Sequence, residues 1–195
     1  IFVDTCDEET LLRFGIIKIG RYPFPPVAAQ YKISVTGTPG AIIEANTTFK
    51  SDDTSLNPGI LYIVDSTFTL SASVDQVTVR ALTLGLESKL NFGDTLTATA
   101  PMPFVNRSAS VYSEVVQPLA GETIEEYRAV ILASYRLEAQ GGAATDYRIW
   151  SSDAQGVKQV YPYVPPNVSS QVDLYIEATI ADSIDGKGTP SQSII

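Results

Sequence analysis

The hydrophobic period of this chain switches from two to about 3.6 near Gly121, and that switch limits it to two kinds of structure joined in series. From Val27 to about Leu119 apolar and polar residues alternate. Tyr31, Ile33 and Val35 fall on one side of an extended chain, while Lys32, Ser34 and Thr36 fall on the other, as in a half-buried strand. The same pattern predicts short strands at 47–50, 60–64, 68–72, 76–84, 95–98 and 110–119. Turn formers stand between them: Gly37-Thr38-Pro39-Gly40, Asn57-Pro58-Gly59, Val74-Asp75, Asn91-Phe92-Gly93-Asp94 and Pro101-Met102-Pro103. Many short strands with close turns make a compact all-β domain of sandwich or barrel-like form.

Past Gly121 the period is helical. Ile124, Tyr127, Ile131 and Tyr135 recur every three or four residues, while Glu122, Glu125, Glu126 and Arg128 mostly occupy the other face. Thr123 followed by Glu126 fits a capping box at the helix start. Gly141-Gly142 breaks the chain. Thr145 or Asp146 then opens a short second helix carrying Tyr147 and Trp150, and Gly156 closes it before a strand at 157–163. A further strand at 171–180, with Val172, Leu174, Ile176 and Ala178 alternating, pairs with it antiparallel. The predicted core of this small α+β unit is Ile124, Tyr127, Ile131, Trp150, Val160 and Ile176. Two strands alone are marginal, so the unit needs more strands or a partner. Thr189-Pro190 reads as a cap and first-turn proline of another helix, consistent with a longer native chain.

At the N-terminus, residues 4–20 combine early acidic residues with Leu11, Leu12, Ile16 and Ile19 near helical spacing. Gly15 is read as an interruption that keeps this helix short. Arg21-Tyr22-Pro23-Phe24-Pro25-Pro26 cannot continue it, since proline lacks the donor and restricts its predecessor to extended shapes. The expected fold class is therefore α+β. Its organisation is an N-terminal helix and Pro-rich linker at 1–26, an all-β domain at 27–119, and at 120–195 an α+β unit of two helices packed on an antiparallel strand pair. Leu11, Leu12 and Ile16 are the candidate interface residues, because a Pro-linked helix leaves apolar surface to cover.

The 195 residues contain no histidine and one cysteine. Serine or cysteine nucleophile systems that rely on imidazole are thereby absent, as are most zinc sites. Cys6 alone closes no disulfide within the chain. Asp182, Asp185 and Gly186 do not follow a calcium-loop spacing, and Gly141-Gly142 lacks the residues of a phosphate loop. Catalytic, cofactor and metal residues are accordingly read as none. A net charge of −9 opposes an electrostatic grip on nucleic acid or anionic lipid. The apolar runs fall short of the roughly 20 residues that cross a bilayer, so no membrane insertion is expected.

Several pieces resemble the phage baseplate J-like family in their order along the chain. They are Val35-Thr36-Gly37-Thr38-Pro39-Gly40 leading to Ala45-Asn46-Thr47, the helix at 122–131, Gly141-Gly142, Asp146-Tyr147 with Trp150, Gly156-Val157-Lys158-Gln159-Val160-Tyr161-Pro162, and Asp185-Gly186-Lys187-Gly188-Thr189-Pro190. Glu44 departs from the pattern, where the family more often has proline. The resemblance implies a non-enzymatic structural protein, a baseplate wedge component of a contractile phage or prophage tail or of a tail-derived injection system. It implies contacts with other wedge and tail proteins, and with copies of itself in a ring. It also implies residence in the virion tail baseplate after assembly in the host cytoplasm. A different class of function, a carbohydrate- or receptor-binding β module, rests on the Thr-rich strands with Tyr22, Tyr31, Tyr62 and Phe68. A third, a hydrolase working with carboxylates alone, requires a pair brought together from distant strands.

Overall fold

A computed structural model describes residues 2–136, 144–166, 171–192 and 194–195. The chain forms two compact units, Pro26–Leu119 and a second in which Ile1–Pro25 joins Ala120–Ile195. The first unit is therefore an insertion in the second.

The inserted unit is a closed barrel. Six strands, β1 (Gln30–Gly37), β3 (Thr48–Ser51), β4 (Leu61–Ile63), β6 (Val74–Ala81), β7 (Thr95–Ala98) and β8 (Val105–Val116), pair antiparallel in the order β1-β6-β4-β3-β7-β8, with β8 returning to β1. Two further short strands, β2 (Ile42–Ile43) and β5 (Phe68–Thr69), form a separate pair. The alternation seen in the sequence is what fills the interior. Tyr31, Ile33 and Val35 of β1 lie inside, opposite Val79 and Val77 of β6 and Val111 and Ala109 of β8. Phe49 sits between Tyr62 and Ala98. A two-residue strand such as Ile42–Ile43 carries no period that a sequence could show.

Near the chain's entry and exit the barrel is closed by polar groups. The Tyr31 hydroxyl accepts the Leu90 N–H at 2.9 Å, the Tyr62 hydroxyl donates to the Ser88 carbonyl at 2.9 Å, and the Ser88 hydroxyl accepts the Ala29 N–H at 3.0 Å. The two tyrosine rings meet edge-on, 6.2 Å between centroids. Burial above all pushes both hydroxyls above their ordinary range, which keeps them protonated and able to donate.

In the other unit the N-terminal helix α1 (Glu8–Lys18) runs straight through Gly15, contrary to the expected interruption. An added Cβ at Gly15 would lie 1.8 Å from the Tyr127 hydroxyl oxygen. Glycine stands there to let Tyr127 of α2 (Ile124–Arg136) press against α1. Leu11, Tyr127, Ile131 and Cys6 form the buried cluster, with Val3, Leu12, Phe14, Ile19 and Ile124 packed on it. The dry face of α2 thus meets α1. The capping box is formed: the Thr123 N–H donates to Glu126 Oε2 at 2.8 Å, and the Glu126 N–H donates to Thr123 Oγ1 at 3.2 Å. The third helix, α3 (Ala144–Ser152), packs on β9 (Val157–Tyr163), which pairs antiparallel with β10 (Asp173–Ala178). Gly141-Gly142 and Asn167 lie outside the described residues. The segment after Pro190 forms turns rather than a helix among its described residues.

Two substitutions test these packings. Gly15→Ala gains up to about 1 kcal/mol of helix propensity yet should destabilise the chain by roughly 1–3 kcal/mol, because backbone and ring must part. Tyr31→Phe should cost about 1–3 kcal/mol by stranding the buried Leu90 amide. Urea melts followed by circular dichroism read both.

Candidate interaction site

The Pro-rich segment after α1 is fixed by one side chain. Prolines hold it extended, which brings Arg21 to the start of α2. Its guanidinium donates to both oxygens of Glu122, at 2.6 and 3.2 Å, to the Tyr22 carbonyl at 3.0 Å, and to Asp153 just beyond α3. It lies over the Phe24 ring at 3.9 Å and near the Tyr127 ring at 5.5 Å. Glu122 also accepts the Phe24 N–H at 3.1 Å, and the Tyr127 hydroxyl donates to the Arg21 carbonyl. Planar guanidinium geometry suits this combination of paired carboxylates and stacked rings. The Arg21 and Glu122 side chains are only 16% and 11% exposed, so screening by water is limited.

Beside this hub opens a cleft of about 860 Å³. One wall is the outer face of α2, where Glu126, Ala129, Val130 and Ala133 follow helical spacing; Ile149 and Trp150 of α3 form another. Trp150, expected in the core, stands 61% exposed and meets Tyr147 edge-on at 5.6 Å. The carboxylates around the cleft are already in use. Asp182 Oδ1 accepts the Ala120 N–H at 2.7 Å and Oδ2 the Thr179 hydroxyl at 2.8 Å, while Glu122 and Asp153 hold Arg21. Outside the cleft lining, Asp185 accepts from the Thr189 hydroxyl and from the Lys187 and Thr189 amides; the Thr189 hydroxyl first and these amides hold its carboxyl below the ordinary range. What remains open in the cleft is mostly apolar wall, a surface suited to docking rather than to proton transfer.

The structure distributes the predicted residues over several places. Tyr127 and Ile131 are fully buried and Ile124 is packed beside them. Val160 is buried and Ile176 half-buried on the β9–β10 pair. Leu11, predicted as interface, is instead in the core beneath α2, because it falls on the α1 face that carries Gly15. Leu12 and Ile16 line a shallow hollow with Glu9, Arg13, Ile17 and Tyr22. Ile17, at 81% exposure, was not predicted, although adjacent Ile16 and Ile17 already exceed what one helix face can bury. Of the four aromatics behind the carbohydrate reading, Tyr31 and Tyr62 are sealed inside the barrel and Tyr22 belongs to the other unit.

On the sheet of the second unit, β9 and β10 turn Tyr161, Tyr163 and Tyr175 outward, all at least 44% exposed. Tyr161 pairs with Tyr175 and Tyr163 with Asp173. Lys158 and the Tyr161 hydroxyl both donate to Glu177, and the hydrogen bond from Lys158 leads in holding that carboxyl below its ordinary range.

In sequence, a closed six-stranded barrel with aromatic closure is thus inserted into a unit of helices and a strand pair that exposes apolar surface. Comparison agrees: residues 32–116 match the family described as Baseplate J-like protein barrel domain. The resemblance read from the turns around Gly37 and Ala45 is thus shown for the barrel. Over 162 residues the chain is also 25% identical to the Mu-like prophage FluMu protein gp47 of Haemophilus influenzae, an alignment covering 83% of this chain and 44% of that protein. The chain therefore spans less than half the length of this curated relative.

Removing the hub tests how the second unit is held. Arg21→Met keeps the aliphatic stem but strands Glu122, and should destabilise by roughly 1–3 kcal/mol, less than a fully buried pair because Asp153 is half exposed. Hydrogen exchange should rise at Phe24 and Glu122 and stay unchanged in β1 and β8.

Proposed function

We propose that this chain is part of a structural baseplate protein of a phage or prophage, a wedge component of a contractile tail that works through protein–protein contacts. The observation that carries the reading is the barrel match over residues 32–116 together with the prophage relative aligned along 83% of the chain. The geometry supports it. The barrel interior is packed by its own side chains, the Glu122 and Asp182 carboxylates at the cleft are engaged in internal bonds, and Trp150, Tyr161, Tyr163 and Tyr175 stand exposed. Such a protein contributes by holding neighbours in register, including copies of itself around a ring, and it resides in the tail after assembly in the host cytoplasm.

Deleting the gene from an inducible prophage tests this. Electron microscopy should show tubes or sheaths lacking complete baseplates, and the full-length protein should co-purify with other tail proteins when co-expressed. Normal, infectious tails after deletion would overturn the proposal.

A further inference from the structure

The barrel has no free strand edge, since β8 returns to β1. The β9–β10 pair has two, and they differ. On β9, Pro162 has no N–H to offer, which suits a proline facing away from the partner strand and blunts that edge. On β10 there is no such block. The Ala178 N–H points away from β9 and donates to the Gly188 carbonyl at 2.8 Å, so the turn after β10 already starts a third strand's bonding on this side. By the alternation of backbone groups along a strand, Ile176 and Leu174 present their N–H and C=O groups to the same side. Leu174 is the residue opposite Pro162, as that alternation requires. Among the described residues no backbone group bonds to Leu174 or Ile176 there.

We propose that the outer edge of β10 takes an added strand from another protein chain, a segment in which apolar residues alternate with basic ones. It deepens the assembly reading of the previous subsection and rests on it. Main-chain bonds to Leu174 and Ile176 give the register. On one face the half-buried Ile176 and the 39% exposed Leu174 need apolar neighbours. On the other face Asp173 and Glu177 flank Tyr175; Glu177 already holds Lys158 and the Tyr161 hydroxyl, so an incoming cationic side chain meets the Asp173 carboxylate and the Tyr175 ring. A second copy of this chain fits less well. In the two-fold pairing centred on Tyr175, Asp173 of each strand faces Glu177 of the other, and like charges directly opposite are unfavourable.

The probe is a seven-residue peptide of alternating lysine and valine, labelled with fluorescein and titrated into the full chain, with amide exchange followed by NMR. Saturable binding is expected, with slowed exchange at Leu174 and Ile176 and none in the barrel. The same peptide N-methylated at its valines keeps every charge but loses donors, and should bind at least about tenfold weaker. An alternating glutamate and valine peptide should bind more weakly still. No binding, equal binding of the N-methylated peptide, or protection at Leu174 and Ile176 that appears with rising protein concentration alone would each overturn the proposal. The last result would assign the edge to self-pairing. Because the peptide titration uses the isolated chain and the prophage deletion uses whole tails, failure of one is distinguishable from failure of the other.

Discussion

Return of β8 to β1 is the constraint on which the barrel depends. Unpaired strand edges would leave rows of backbone donors and acceptors exposed, and closure satisfies them without a partner. Once β1 is held on both sides, by β6 and by β8, its inward residues are fixed, and a slip of one position would turn Tyr31, Ile33 and Val35 outward together. The register shifts between β1 and β8 absorb the difference in length between an eight-residue and a twelve-residue strand without losing the alternation. The tyrosines near the chain's entry and exit then close an interior that would otherwise admit water.

Much of this was legible in the sequence because it is local. Strand alternation marked the inward residues of β1, the Thr95–Ala98 strand was placed at its observed bounds, and the capping box announced the start of α2. What could not be read was which distant segments meet. Gly15 looked like a helix breaker, and only the approach of Tyr127 shows that it is a contact surface. Leu11 looked free for the same reason, since nothing in a single helix reveals that a second one, more than a hundred residues later, covers it. Trp150 was assigned to a core on size and hydrophobicity, yet α3 is short and its inward face is spent on β9. The role of Arg21 carries no signal in the sequence, because its partners Glu122 and Asp153 lie 101 and 132 residues further along the chain.

The two units divide the work between self-sufficiency and availability. In the barrel, closure of the sheet consumes the backbone bonding capacity of its strands internally. In the other unit, helices bury one face against each other and leave another, a two-stranded sheet keeps an open edge, and aromatic side chains stand in water. Exposed apolar and aromatic surface of this kind costs solubility unless it is covered in use. The net charge of −9 offsets that cost.

The insertion of the barrel between Pro25 and Ala120 also sets an order of events during folding. Without the barrel, docking α1 on α2 means closing a loop of about 100 residues, an entropic cost on the order of 4 kcal/mol. In the folded barrel Val27 pairs with Leu119, so the two ends of that loop are already together. The barrel thus acts as a splint. A chain leaving the ribosome presents α1 long before its cover exists, and Leu11 and Tyr127 find each other cheaply only after the strands between them have closed.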